Sequence, residues 1–108
     1  WIMSQVDLAG SSIASRVANS RTATVAVTSF TFKEPVWVGD VVSFYATVLK
    51  VGTTSITVDV TVFAERLHKD NHRIVKVTEA QLVFVALNKD GRPQPVYRAD
   101  NPAPEKTE

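Results

Sequence analysis

The sequence predicts an α+β domain in which an antiparallel sheet wraps one long central helix, and three observations carry that prediction. Apolar residues recur at helical spacing in one stretch, residues 1–19. From residue 22 onward the chain is β-branched and aromatic, in runs broken by Gly, Pro, Asn and Asp. Those runs are long for a chain of 108 residues and both their faces carry apolar side chains. One face then takes the helix, and the other face or an edge is left for another subunit.

The helix reads WIMSQVDLAGSSIASRVAN. Ile2, Val6, Ala9, Ile13 and Val17 form one apolar stripe, and Ser4, Gln5, Ser12, Ser15, Arg16 and Asn19 stay largely off it. Asp7 interrupts the pattern. It falls roughly 100° from the centre of the stripe, stacked with Met3, Gly10, Ser11 and Ala14, where small neighbours let something press against a carboxylate. No Ser, Thr, Asp or Asn stands ahead of the helix to cap its N–H groups, which is the pattern of a chain that begins in the middle of a fold.

Residues 22–32, TATVAVTSFTF, form the first strand. Its apolar parity changes from Val25 and Val27 to Phe30 and Phe32, so either a bulge lies near Thr28 and Ser29 or both faces are covered. Pro35 ends this strand and Gly39-Asp40 marks a turn. Residues 41–51 form a second strand, closed by the turn Gly52-Thr53-Thr54. A third strand alternates strictly, with Ile56, Val58, Val60 and Val62 on one face and Thr57, Asp59 and Thr61 on the other. Residues 68–72 are a polar hairpin tip, residues 74–87 a long strand ending in the turn Asn88-Lys89-Asp90-Gly91, and residues 95–97 a last short strand. The whole is one domain, residues 1–98, followed by a proline-bearing, charged tail, residues 99–108, expected to be disordered.

Composition excludes several classes of function. With 12 basic and 11 acidic residues the net charge is +1, short of the basic excess of a nucleic-acid binder. No cysteine is present for a disulfide, a thiolate metal site or a Cys nucleophile. No apolar run approaches the roughly 18 residues of a membrane span, and no signal-peptide pattern opens the chain, so a soluble cytoplasmic protein is expected.

Few residues offer chemistry. Asp7 reads structurally as a helix-edge carboxylate that is solvated or paired with Arg16, Arg21 or a lysine, and functionally as a general base or nucleophile. His68 and His72 have an i, i+4 spacing that binds zinc on a helix, but Lys69, Asp70 and Asn71 between them spell a turn, so no metal site is expected. Gly52, Thr53, Thr54 and Ser55 lack the spacing of a phosphate-binding P-loop. They read as a hairpin turn, or as a cluster of hydroxyls and N–H donors able to hold a phosphate or an amide-bearing ligand.

In chain order, WIMSQVDLAG, VTSFTFKEPVWVGDVVSFYA, GTTS with its alternating strand, and TEAQLVFVALNKDGRPQPV resemble the hotdog-fold acyl-CoA thioesterases of the bacterial YciA type. The most specific part is the Asp-bearing helix followed at family spacing by F-x-x-P-V-x-V-G-D. The resemblance implies a hotdog fold whose first strand is missing from this chain, together with a loop carrying an Asn and a Gly-Gly pair ahead of Trp1 that would offer amides to a thioester oxygen. It implies that the chain hydrolyses acyl-CoA to fatty acid and CoA, with Asp7 as the catalytic carboxylate. The substrate would be bound through Gly10, through Thr24, Thr28 and Phe30 along the acyl tunnel, and through Gly52, Thr53, Thr54 and Ser55 on the coenzyme A path. It further implies no separate cofactor, coenzyme A being part of the substrate, and a homodimer arranged as a hexamer, a trimer of dimers. Two alternatives stand beside this. One is a non-catalytic hotdog module that binds acyl-CoA or serves assembly, favoured by the missing oxyanion segment. The other is a dehydratase, for which the helix lacks a histidine.

Overall fold

The computed structural model describes residues 1–68 and 71–105, and for His68 the backbone alone. One helix, α1 (Ile2–Ala18), precedes four strands, β1 (Thr22–Phe32), β2 (Val41–Val51), β3 (Ser55–His68) and β4 (Asn71–Ala86). All pairings are antiparallel and the sheet order is β1-β4-β3-β2. Residues 33–40 therefore carry the chain from one edge of the sheet to the other, leaving β1 and β2 as its two edges.

The core lies between α1 and one face of the sheet. Ile56, Val58, Val60, Val62 and Ala64 of β3 and Leu82, Phe84 and Ala86 of β4 are fully buried there, as the alternation of β3 requires. The helix meets them through Val6, Gly10, Ala14 and Ala18, with Ile2, Ala9, Ile13 and Val17 half-buried beside that line. The contact line is thus turned by roughly 80° from the apolar stripe, at 3.6 residues per turn. The cause is steric: small residues at 10, 14 and 18 let the helix backbone settle close on the sheet. A Cβ added at Gly10 would stand 3.0 Å from Phe84 Cζ and 3.1 Å from Cε2.

The helix ends as its sequence allows. Asn19 adopts a left-handed conformation (φ 50°, ψ 43°), and the N–H groups of Asn19 and Ser20 return to Arg16 O and Ser15 O. At the other end Trp1 occupies the N-cap without a side-chain cap and packs edge-on against Phe44, centroids 6.3 Å apart.

The change of parity in β1 is a pair of irregularities in its register with β4, one at Val25 and one at Thr28. The second is the bulge expected near Thr28 and Ser29. The expected hairpin tip at residues 68–72 falls partly on residues 69–70, outside the described residues. Beyond β4, Asn88 Oδ1 accepts from the N–H groups of Asp90 and Arg92, and Gly91 takes φ 77°, which closes the turn.

One expectation for the C-terminal region is corrected. Residues 95–97 form no strand: Pro93 and Pro95 lack the N–H groups a ladder needs, and isolated bridges join Leu87 to Pro93 and Arg98 to Asn101 instead. The stretch after residue 98 starts out bonded to the fold through Asn101. Asn101 Nδ2 donates to Val17 O (3.0 Å), Ala18 O (3.2 Å) and Val96 O (2.6 Å), and Arg98 donates to Ala18 O and Asn19 O. The oxygens of Val17, Ala18 and Asn19 are ones that a helix leaves unsatisfied at its end, so Arg98 and Asn101 serve as a cap. Residues 106–108 lie outside the described residues.

Candidate active site

Asp7 sits half-buried on the side of α1 that faces β1, one position from the buried Val6. Turning the contact line of the helix moves Asp7 toward the sheet, and Thr24 at the exposed edge of β1 meets it. Thr24 Oγ1 donates to Asp7 Oδ1 at 2.6 Å. Asp7 forms no ion pair among the described residues, so the arginine or lysine partner weighed from the sequence gives way to a hydroxyl. A neutral donor fixes one carboxylate oxygen while leaving the charge uncompensated. The second oxygen keeps its acceptor capacity for a water or a substrate atom.

The other candidates separate into groups. Gly10 is buried against Phe84, where its missing side chain serves the packing of the helix. Thr24 is brought to Asp7, but Thr28 and Phe30 are not. They lie about 13 and 20 Å further along β1 at the strand rise per residue. Thr28 Oγ1 bonds Gln81 O at the bulge (3.3 Å), and Phe30 stacks at a tilt on Phe32, 6.4 Å between centroids. Gly52, Thr53, Thr54 and Ser55 form a tight turn at the end of the sheet. Gly52 N–H bonds Ser55 O, while Thr54 O and Thr53 O accept from the N–H groups of Ala86 and Val96. The turn therefore holds the C-terminal segment as well as joining β2 to β3.

The second pair of polar residues along the same seam is Ser15 and Thr22, whose hydroxyls lie 3.0 Å apart. Three clefts among the described residues are not bordered by Asp7. One of about 320 Å³ lies by Ser43, Tyr45 and Phe63, another of about 280 Å³ by Trp37 and Arg66, and the third beyond the helix C-terminus. The carboxylate faces outward along an edge strand instead. Val25, Val27, Phe30 and Phe32 of that strand are exposed, a run of apolar surface that a single copy leaves uncovered.

An arginine that the sequence reading passed over organises the crossing segment. Arg66 is 6% exposed. Its Nε reaches Asp40 Oδ2 at 3.0 Å and its Nη1 Glu34 Oε2 at 3.2 Å; Nη2 donates to Pro35 O, and the guanidinium lies 4.0 Å from the centre of the Trp37 ring. Asp40 Oδ2 also accepts from Trp37 N–H at 2.8 Å. Its carboxyl lies below its ordinary value: burial pushes it up, and the Trp37 N–H with the hydrogen bond and charge of Arg66 more than reverse this. The signal was available. Arg66 continues the inward alternation Val62, Ala64, Arg66, and a charge at an inward position needs partners. His72, by contrast, pairs with Glu65 across the hairpin.

Comparison with known proteins places this arrangement. The profile of the Thioesterase superfamily matches residues 1–70. The acyl-CoA thioester hydrolase YciA of Salmonella typhimurium is 41% identical over 97 residues, 89% of this chain and 73% of the relative. A hexameric hotdog-fold thioesterase of Campylobacter jejuni superposes with a TM-score of 0.84 at 40% identity, over 88% of this chain and 72% of that one. The hexameric thioesterase of Yersinia pestis gives 0.82 at 38%, over 88% and 77%. One helix cradled by an antiparallel sheet, a matched profile over most of the chain and relatives at about 40% identity lead to one conclusion: the chain belongs to the thioesterase superfamily and has the hotdog fold.

Proposed function

We propose that this chain hydrolyses acyl-CoA thioesters and that Asp7 is the catalytic carboxylate. The observation that carries the reading is the bond from Thr24 Oγ1 to Asp7 Oδ1, which fixes a charged oxygen beside an open edge strand. Its support is the similarity to a relative named as an acyl-CoA thioester hydrolase.

Two routes lead from this carboxylate to the same products. As general base, Asp7 takes a proton from water while the water oxygen attacks the thioester carbonyl carbon. The tetrahedral oxyanion is met by amide N–H groups at a helix start, as the family resemblance implies, and its collapse breaks the C–S bond, the departing thiolate taking up the proton. As nucleophile, Asp7 forms an acyl anhydride with loss of the thiolate, and water then hydrolyses it. Neither route needs a metal or a cofactor, because coenzyme A arrives with the substrate.

The exposed apolar edge of β1 fits a site completed by a second copy. In this reading the chain works as a homodimer within a hexamer, a trimer of dimers, in line with the hexameric state named for the relatives from Campylobacter jejuni and Yersinia pestis. The acyl chain runs along β1 past Thr28 and Phe30, the coenzyme A path passes the turn Gly52 to Ser55, and the work is cytoplasmic, in fatty acid metabolism. No helix among the described residues is long and apolar enough to cross a membrane.

The test is hydrolysis of acyl-CoA by Asp7→Asn and Asp7→Ala. A loss of about 10²–10⁴ in kcat is expected, the range for a positioned acid–base group. An undiminished rate would remove Asp7 from the chemistry. Calorimetric binding of acyl-CoA by the unsubstituted chain without turnover would make it a binding module.

A further inference from the structure

Beside the Arg66 cluster the fold leaves a recess that the proposed chemistry does not use. Its volume is about 280 Å³ and it is lined by Trp37, Arg66, Asn71 and Arg73. That lies just under the roughly 300 Å³ at which ligand clefts begin, so it suits a small occupant. The recess stands apart from the path proposed for the substrate. Thr24, the partner of Asp7, shares a row of the sheet with Phe84 and Ile56. Arg66 is ten residues further along β3 than Ile56, about 33 Å at the rise of a strand. The Gly52 to Ser55 turn is at the opposite end of β3. β1 ends at Phe32, in the row of Thr78 and Val62, four residues short of Arg66.

Three observations give the recess its chemistry. Arg66 and Arg73 are direct partners in the β3–β4 ladder, so two cations leave the same face at neighbouring positions, which is unfavourable without negative groups beside them. Asp40 and Glu34 answer Arg66, whereas Arg73 pairs with no carboxylate among the described residues. A guanidinium also has five N–H donors, and Arg66 spends three of them, on Asp40, Glu34 and Pro35 O. Two remain on a buried side chain, where an unmade hydrogen bond is costly. The third observation is Trp37. One face of its indole carries the Arg66 guanidinium at 4.0 Å, yet the residue stays 55% exposed and walls the recess with apolar surface.

We infer that this recess binds a small carboxylate carried on an apolar body. The carboxylate lies between Arg73 and the spare N–H groups of Arg66, whose planar forks match its two oxygens, and the body covers the indole of Trp37. Inorganic phosphate satisfies the first half of this site and a neutral apolar molecule only the second. Two sources supply the shared chemistry: a medium-chain fatty acid, which thioester hydrolysis would release, and a free aromatic acid. Only the first of them rests on the acyl-CoA reading above. Because Trp37 belongs to the crossing segment and Arg73 to β4, the ligand bridges the two and stabilises the folded chain by mass action.

The experiment follows Trp37 fluorescence in Trp1→Phe, which leaves Trp37 as the one tryptophan of the chain. It is titrated with octanoate, phenylacetate, acetate and inorganic phosphate, and melting temperature is recorded with each. Octanoate or phenylacetate is expected to change the emission, raise the melting temperature and bind about tenfold or more tighter than acetate and phosphate, from the apolar area covered. The tighter of the two identifies the source, and either supports the inference. Arg73→Ala should weaken that binding about tenfold, and Arg73→Lys, which keeps the charge but loses the fork, by less. Binding that Arg73→Ala leaves unchanged overturns the inference, as does no binding of either acid. Acetate or phosphate bound as tightly overturns it too, because the recess is then a general anion site. KM for acyl-CoA should be the same in Arg73→Ala as in the unsubstituted chain; a raised KM would put the recess on the substrate path and overturn its separate role. If acyl-CoA is not turned over at all, the thioesterase reading fails, and the titrations still decide the recess.

Discussion

Thr24 Oγ1 donates to Asp7 Oδ1 at 2.6 Å, so a carboxylate on the helix is fixed by a hydroxyl seventeen residues further along the chain. Because β1 is an edge strand, this bond also ties the helix to the border of the sheet. Thr24→Val keeps the shape of the side chain and removes the donor. A hydrogen bond to a charged group contributes about 1.5–3 kcal/mol, so kcat/KM for acyl-CoA should fall about tenfold or more. Thr24→Ser should retain most of the rate, and steady-state kinetics on the two variants separate the hydroxyl from the methyl.

Gly10 is a distance gauge between α1 and β4. In Gly10→Val the new carbons meet the buried Phe84 ring, already 3.0 Å from the first of them. Overpacking of this kind costs about 1–3 kcal/mol, more than the few tenths regained by removing glycine from a helix. The denaturant midpoint should fall, and activity with it as the helix lifts Asp7 from Thr24. Phe84→Leu in the same background should recover part of both.

Acid should expose the Arg66 cluster. The carboxyl of Asp40 lies below its ordinary value of 3.8 in the folded protein, so its stabilisation is present above that value and is lost as pH falls through the lower, folded one. Glu79, lowered from 4.5 chiefly by its hydrogen bond from Lys76, acts in the same direction. Melting temperature should therefore decline as pH drops below about 4. Asp40→Asn should be less stable at neutral pH and show a shallower acid decline, with the part due to Glu79 unchanged.

Asn101→Ala removes a donor shared by three carbonyl oxygens, two of them at the end of α1. The expected cost is about 1–2 kcal/mol, read as a lower denaturant midpoint at unchanged slope. Hydrogen exchange should quicken in the last turn of the helix while the β3–β4 ladder keeps its protection.

Much of this architecture was legible because period and punctuation agree. The helix, the bounds of β1 and β2, the inward face of β3 and the bulge at Thr28 follow from patterning alone. What was not legible depends on residues far apart in the chain. The stripe of α1 pointed to Ile2, Val6, Ala9, Ile13 and Val17, whereas the contact line keeps Val6 and runs on through Gly10, Ala14 and Ala18, because closeness of approach, set by Phe84, outranks hydrophobicity. Asp7 stood out as a lone carboxylate, but nothing local marks Thr24 as its partner. The capping roles of Arg98 and Asn101 had no signal at all, since a polar stretch between prolines reads alike whether it is free or pinned.

The bonds from Asn101 to the end of α1 span 84 and 83 residues, and the strands that seat the helix, β3 and β4, also follow it by a long stretch of chain. During synthesis α1 is the first of these elements to leave the ribosome and the last to be finished. Contacts across so long a span carry a large closure entropy and form late. The helix must wait as an amphipathic segment with its apolar side uncovered until almost all the chain has emerged. Folding is then completed late, and a chain halted before Asn101 lacks the donor that closes the end of its helix.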